Sequence, residues 1–335
     1  MITHESSLES FIEQFDYVKS NYTPHSFKID QFEQIVLGGL GGSGIGASLI
    51  KTMVYNDCPT PVEVVKDYVF PGYINEKTLV ILSSYSGNTE ETLSMFEHAR
   101  TENCTIMIVT AGGQLKELAE KNNLVCYDLP TGYQPRMTIG FGLGFLGRIF
   151  GDLLDRDYAA ELDEVREFFA ENQDRQKASA SKIFDFFKSR PRNKFVIVAD
   201  RYFEPVAVRF TQQLNENSKL EGFVNVLPEA NHNVIESYTE KLPTNFILLF
   251  SEENPRVAAR FDFLTSHLEM DNNKVMPMVV PEVTWKVIFD IIYRLDWVSV
   301  HLANEIHSDL MNVPIITELK NFLSDLEIEE VDDEE

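Results

Sequence analysis

Long apolar runs are missing from this chain of 335 residues, and no segment reaches the length needed to cross a bilayer. The opening Met1-Ile2-Thr3-His4-Glu5 lacks the charged-then-apolar pattern of a secretory signal, so the expected location is the cytoplasm, away from membranes. Cysteine is scarce. Cys58, Cys104 and Cys126 form an odd set without metal-ligand spacing, which argues against a disulfide framework and a structural zinc and predicts reduced, mostly buried thiols. Positive charge is in short supply: 29 Lys and Arg stand against 53 Asp and Glu, a net charge of −24. Such a chain is not attracted to a nucleic-acid backbone or an anionic lipid surface. A third of the excess lies in a tail from Asp325 to Glu335, where Asp or Glu fills eight positions, read as a solvated end. An anionic substrate would therefore need a cation held locally, because the field of the whole molecule opposes it.

What the chain does have is two unusual loops. Gly39-Leu40-Gly41-Gly42-Ser43-Gly44 follows the apolar run Ile35-Val36-Leu37, and Ser84-Tyr85-Ser86-Gly87-Asn88-Thr89 follows Thr78 to Leu82. Each leads into a helix-like stretch, so both read as strand-to-helix turns. A glycine-rich turn lets a ligand approach the backbone, and the free amides of the next helix offer donors and partial positive charge. Gly41, Gly42 and Ser43 from the first loop, with Ser84, Ser86 and Thr89 from the second, are the expected contacts of a phosphate monoester. Thr92 adds a further hydroxyl nearby.

Short β-rich runs alternate with helical ones from Gln34 onward: Ile35 to Leu37, Val62 to Val65, Thr78 to Leu82, Thr105 to Val109 and Leu124 to Tyr127. That alternation predicts an α/β fold with a doubly wound parallel sheet, both loops lying at the carboxyl ends of their strands. Ser7 to Ser20 has helical spacing of apolar residues and predicts one amphipathic helix packed on this unit. Alternation resumes with Phe195 to Ala199, a helix over Pro205 to Leu214, Phe246 to Phe250, Val275 to Val280 and a long helix from Thr284 to Ala303. The expected organisation is a first domain over residues 1–150, a helical bridge over 151–192, a second domain over 193–325 and the acidic tail over 326–335. The 44% hydrophobic content is enough for two cores.

The first loop also satisfies G-x-G-x-x-G, with Asp67 placed where a ribose-binding acid would sit. A dinucleotide reading leaves the serine loop unexplained, however, and no Lys-Ser or Lys-Thr follows the glycines as a P-loop requires. Glycines that only permit tight strand-helix packing are the remaining alternative, which asks two loops at one sheet edge to coincide.

The Gly-Gly-Ser-Gly turn and the Ser-Tyr-Ser-Gly-Asn-Thr-x-Glu-Thr segment resemble the sugar isomerase (SIS) domain. With Gln134-Pro135-Arg136, Asn215-Glu216-Asn217 and Glu229-Ala230-Asn231-His232-Asn233, the chain from about Gln34 to Leu323 resembles the bifunctional phosphoglucose/phosphomannose isomerase family. The resemblance implies two SIS-type domains and a metal-independent aldose-ketose isomerase without cofactors, acting on glucose 6-phosphate or mannose 6-phosphate and fructose 6-phosphate. Glu216 is then the base that moves a proton between C2 and C1, a transfer suited to a carboxylate. By spacing alone it reads as a solvated glutamate at a helix end. Arg136 stabilises the enediolate, whereas by itself it reads as a salt link between elements. His232 protonates the ring oxygen, and Lys320 assists ring opening from the last helix. His4 and His25 are expected at the surface, and His267 and His301 in helices. Upstream of Lys320 the family usually has Pro-Thr-Pro where this chain has Asn312-Val313-Pro314, so Val313 lacks a hydroxyl that bears on the C2 epimer. A homodimer with His232 donated across the interface is implied as well. A non-catalytic SIS-fold sugar-phosphate sensor, or an isomerase of another sugar phosphate, are the competing readings.

Overall fold

The computed structural model describes residues 2–238, 244–270 and 273–324. The amino-terminal segment forms two helices, α1 (His4–Glu9) and α2 (Phe11–Asn21), where a single one was expected. The break is Ser10, which closes α1 and opens α2 with φ −95° and ψ 24°. Turning there lets Leu8, Phe11, Phe15 and Val18 all reach the interior.

The first sheet follows. Its elements are β1 (Gln34–Gly38), α3 (Gly41–Met53), β2 (Val62–Val65), β3 (Thr78–Ser84), α4 (Glu90–Thr101), β4 (Thr105–Thr110), α5 (Gly113–Lys121) and β5 (Val125–Asp128). All pairings are parallel, in the order β2-β1-β3-β4-β5. The chain leaves β1 in opposite directions, so a crevice opens beyond the carboxyl ends of β1 and β3. The glycine and serine loops lie there.

Helices α6 (Ile139–Leu154) and α7 (Tyr158–Phe187) then lead to the second sheet, so α6 runs through residue 150 without a break. That sheet comprises β6 (Phe195–Ala199), α8 (Glu204–Gln213), β7 (Gly222–Val226), β8 (Asn245–Ser251), α9 (Pro255–Met270) and β9 (Lys274–Val280), followed by α10 (Trp285–Glu305) and α11 (Pro314–Ser324). The order is β7-β6-β8-β9, again parallel. Strand β7 and helix α9 were not expected from the sequence: Gly222-Phe-Val-Asn-Val is an edge strand with little burial, and α9 has a broken apolar stripe. The acidic run from Asp325 lies outside the described residues.

The equivalent crevice of the second sheet is filled by the chain itself. The Asp200 carboxylate, just past β6 and 4% exposed, accepts from the amides of Tyr202 (2.9 Å), Phe203 (3.1 Å) and Ser251 (2.8 Å) and from Ser251 Oγ (3.1 Å). An internal anion thus takes the donors that an external one would need.

Interior packing departs from the expectation of two separate cores. One continuous apolar cluster runs from Ile35, Leu37 and Ile45 through Phe145, Phe169 and Tyr293 to Ile197, Phe210 and Leu249, joining the inner faces of both sheets. Smaller clusters cover the outer faces, one around Phe96 and Ile108 and the other around Phe250 and Phe261. Aromatic edges fasten the centre: Phe11 lies 5.1 Å from Phe169 and 5.4 Å from Tyr293, ring centroid to centroid. The apolar faces of α2, α6, α7 and α10 have no other place to go, so they weld the halves together.

Three sequence expectations about side chains are corrected. The cysteines are free but only partly buried, and burial still raises the Cys104 and Cys126 thiols to about 11. His25 is half-buried, with Nε2 3.1 Å from the Ile149 carbonyl. His4 is not on the surface: it is 1% exposed, because α1 is pressed against the centre of the molecule, and neither ring nitrogen has a hydrogen-bond partner among the described residues.

Burial, helped by the charges of Arg136 and Arg209, pushes the His4 pKa down to about 3. The unfolded chain takes up a proton near its ordinary value of 6.5 that the folded chain refuses until about 3, so stability falls as pH drops through that window. Between about pH 6.5 and about pH 5 the loss is about 2 kcal/mol. Denaturant midpoints at neutral and mildly acidic pH should fall further for the parent than for His4→Gln; equal falls would take His4 out of the acid response.

Candidate active site at the carboxyl edge of the first sheet

Helices α3 and α4 both begin in the crevice, and neither has a side-chain cap on its first amides. Their amino-terminal N–H groups are therefore free to bind an anion. Around them the hydroxyls form a connected set. Ser84 Oγ and Thr89 Oγ1 are 2.9 Å apart, and Ser84 Oγ also accepts from the Gly87 amide. Ser86 Oγ accepts from the Asn88 amide at 3.2 Å. Ser43 Oγ reaches across to the Tyr85 amide at 3.3 Å and ties the two loops together. Gly87 turns the serine loop with φ +67°, and a Cβ there would lie 1.7 Å from the Gly112 carbonyl oxygen, so no other residue fits. Thr92, by contrast, is buried in α4 with no partner for its hydroxyl among the described residues.

Gly42 is the contact between this crevice and the rest of the site. A Cβ at that position would stand 2.8 Å from the Pro135 carbonyl oxygen, so glycine lets the first turn of α3 lie directly against Pro135-Arg136. Tyr85 holds the same segment from the other side, donating its hydroxyl to the Pro130 carbonyl at 2.9 Å and accepting from the Tyr133 amide at 3.0 Å.

Arg136 is 4% exposed. Its Nε donates to Asn217 Oδ1 at 2.9 Å, Nη1 to Glu216 Oε2 at 3.1 Å, and Nη2 to the carbonyls of Leu310 (2.7 Å) and Met311 (3.3 Å). Burial lowers its pKa, and the Glu216 charge opposes that shift. Glu216 stands on a π-helical turn, Leu214–Ser218, that prolongs α8, where the sequence suggested a helix that simply ends. The wider turn brings Glu216 and Asn217 side by side toward Arg136. The Glu216 side chain keeps 28% exposure, and its Oε1 has no partner among the described residues.

Lys219 closes the π turn in a left-handed conformation, φ +53°. Its ammonium donates to the carbonyls of Glu216 (2.6 Å), Asn312 (2.9 Å) and Asp309. Arg136 and Lys219 together grip the stretch 309–312, which places Val313 and the start of α11 beside the site. Asp309, accepting from the amides of Asn312 and Met311, has its carboxyl held down at about 2. Behind Arg136, Arg209 donates to its carbonyl at 2.9 Å and to Asp296 Oδ2 at 2.5 Å, a fully buried ion pair.

Arg136 thus meets both Glu216 and, through Pro135, the glycine loop, although the three lie far apart in the sequence. His232 does not join them within one chain: it lies in the 3₁₀ turn Glu229–His232, is exposed, and makes no hydrogen bond or ion pair among the described residues. Lys320 is exposed on α11 and pairs with none of the others. Val313 accepts from the Thr317 amide at 3.1 Å and is partly buried. Asn217, Lys219, Arg209 and Asp296 were missed as site supports. Asn217 stood inside the Asn-Glu-Asn segment, but the Arg209–Asp296 pair and the bonds from Lys219 to the 309 and 312 carbonyls are long-range and have no local pattern. Among the described residues no group of three or more His, Cys, Asp or Glu side chains converges as a metal site, and no helix is long and apolar enough to cross a membrane.

Two parallel sheets, with a hydroxyl-lined crevice at the carboxyl edge of the first, define an SIS-type α/β architecture. Solved structures agree on the fold: the C-terminal domain of glucosamine-fructose-6-phosphate aminotransferase from Francisella tularensis superposes with a TM-score of 0.70 at 13% identity, covering 92% of this chain and 98% of that one. Residues 176–323 match the family model described as bacterial phospho-glucose isomerase C-terminal SIS domain. The bifunctional phosphoglucose/phosphomannose isomerase of Caldicellulosiruptor bescii is 34% identical over 89% of this chain and 92% of its own length. That of Aquifex aeolicus is 31% identical over 94% and 97%. The chain belongs to the bifunctional phosphoglucose/phosphomannose isomerase family, a family of sugar-phosphate isomerases.

Removing one partner of the buried Arg209–Asp296 pair strands the other charge, at a cost of about 3–5 kcal/mol. Asp296→Ala should lower the urea midpoint accordingly with an unchanged slope; a loss below about 1 kcal/mol would mean that Arg136 does not depend on this support.

Proposed function

We propose that the chain interconverts glucose 6-phosphate and fructose 6-phosphate, with mannose 6-phosphate as the slower aldose, by proton transfer through a cis-enediolate. The observation that carries this reading is the 3.1 Å contact between Arg136 and Glu216 immediately beside the phosphate loops. Binding the phosphate on Gly41, Gly42, Ser43, Ser84, Ser86 and Thr89 would lay the sugar along the segment that ends in Arg136. Glu216, with Oε1 free, takes the C2 proton and returns it to C1. As the proton leaves, negative charge grows on the sugar oxygens, and the rigid guanidinium of Arg136 is already in place to stabilise it. A sensor that only bound the phosphate would have no use for a buried cation paired to an open carboxylate.

Ring opening comes first and needs a proton on the ring oxygen. His232 is assigned that role from the neighbouring subunit of a homodimer, a reading supported by its exposure and its lack of partners among the described residues. Lys320 assists from α11. Val313, in the stretch gripped by Arg136 and Lys219, offers no hydroxyl to the C2 substituent, which favours glucose over mannose. The chemistry moves only protons, so no metal or cofactor is invoked. A cytoplasmic location suits such a substrate.

A coupled assay with glucose 6-phosphate and mannose 6-phosphate, run with chelator, tests the activity. Glu216→Gln keeps size and hydrogen bonding but removes basicity, so turnover should fall at least ~100-fold while affinity for fructose 6-phosphate persists. Continued exchange of the C2 hydrogen with deuterated buffer in that variant would remove Glu216 from the role of base.

If His232 crosses a two-fold interface, Glu216→Gln and His232→Ala should complement one another. Random mixing makes roughly half the dimers mixed, and one site in each receives intact residues from both chains, so activity should recover to about a quarter of the parent. Mixed dimers seen by mass but inactive would place both residues in one subunit's site or take His232 out of the chemistry.

A further inference from the structure

A second cleft shares no lining residue with the glycine loop Gly39–Gly44 or the serine loop Ser84–Thr89. It has a volume of about 440 Å³ and is walled by the outer face of α3, the end of β2 and the start of α8. Three cations face it: Lys51 from α3, Lys66 just beyond β2, and Arg201 just before α8. None of them forms an ion pair among the described residues. Five other lysines of this acidic chain, Lys19, Lys77, Lys116, Lys177 and Lys188, each meet a carboxylate within 3.0 Å.

The arrangement around Arg201 explains how its charge stays available. Its guanidinium carbon lies 4.4 Å from the centre of the Tyr55 ring and 4.3 Å from that of Tyr202, and Nη2 donates to the Tyr202 hydroxyl at 2.5 Å. Both partners are neutral, so they position the cation without neutralising it. Lys66 runs past Gly44, where its Cε is 3.3 Å from the place a Cβ would occupy. The side chain reaches solvent, yet the protein around its ammonium lowers its pKa, an effect that Glu204 only partly offsets. Glu204 is the one carboxylate lining the cleft, and it bonds to none of the three cations.

Three cations without an ion pair among the described residues thus converge on one cavity of a chain that carries 53 acidic residues. All three are exposed, and a bound anion would be attracted to each of them. Two ammonium groups and a forked guanidinium match the multiple charges and oxygens of a phosphate group. The volume exceeds what inorganic phosphate would fill and falls within the range of small-ligand pockets, and Val64 and Val208 give it an apolar part. We infer that this cleft is a second anion site, separate from the phosphate loops, that takes a small phosphorylated ligand on Lys51, Lys66 and Arg201. Its occupant would touch α3, which begins at the glycine loop, and α8, which runs into the turn carrying Glu216.

Calorimetric titration with inorganic pyrophosphate at low ionic strength tests the inference, done with and without saturating fructose 6-phosphate. Pyrophosphate should still bind, one per chain, when the sugar phosphate is present. Lys51→Gln, Lys66→Gln and Arg201→Gln should each weaken that event at least ~10-fold and leave the KM for fructose 6-phosphate unchanged. Lys51 is on an exposed helix position, so its variant remains informative should either of the others fold poorly. Abolition of all binding by fructose 6-phosphate, binding unchanged in the variants, or no binding at millimolar pyrophosphate would each overturn the site. If the chain bound no fructose 6-phosphate at all, the isomerase reading would fail, while the three variants would still report on the cleft.

Discussion

The buried guanidinium of Arg136 is the constraint on which the site depends. A cation 4% exposed is stable only with acceptors on several sides, and here four are supplied by distant parts of the chain: Asn217, Glu216, Leu310 and Met311. Its own carbonyl is tied down by Arg209, which is neutralised by Asp296. The position of Arg136 is therefore set before any ligand arrives. Because Gly42 packs on Pro135, the same constraint sets the distance between the first phosphate loop and the carboxylate of Glu216. Charge that develops on a bound sugar would meet a dipole already oriented, which is the condition for strong electrostatic stabilisation.

The two sheets share strand order over all four strands of the second but differ chemically. In the first, two uncapped helix starts face an open crevice lined by hydroxyls. In the second, Asp200 occupies the corresponding amides with its own carboxylate. Burial raises the Asp200 pKa, and four hydrogen bonds to its ionised form oppose that shift. One half thus has an open crevice lined by hydroxyls, and the other carries Glu216. The continuous core between the sheets keeps the two roles in register.

The π turn at Leu214–Ser218 shows how small a local change builds a site. An α-helical continuation would rotate Glu216 and Asn217 away from one another's neighbours; the wider turn presents both to Arg136. Its end is held by Lys219, a non-glycine residue in the left-handed region, with its ammonium against three carbonyls. Those bonds offset a backbone cost of about 1–2 kcal/mol. They also fasten the stretch before α11 to the turn.

Sequence alone determined the parallel α/β class, the two loops at strand ends, and the residue types able to serve as base and cation. Strand runs such as Val62 to Val65 coincide with β2, because apolar β-branched runs bounded by turn residues admit few other readings. Family resemblance singled out Arg136 and Glu216, whose spacing by itself also fitted ordinary surface residues. Weak local signals failed where tertiary contacts decide: edge strand β7, the break at Ser10, and His4, whose exposure depends on where α1 docks. Only the tertiary structure decided that one core would join both sheets, that Asp200 would fill one crevice and leave the other open, and that Arg136 would meet Glu216 across 80 positions of chain. The physical reason is that hydrophobic periodicity is written locally in each segment, whereas burial of a charge is settled by which distant acceptors surround it.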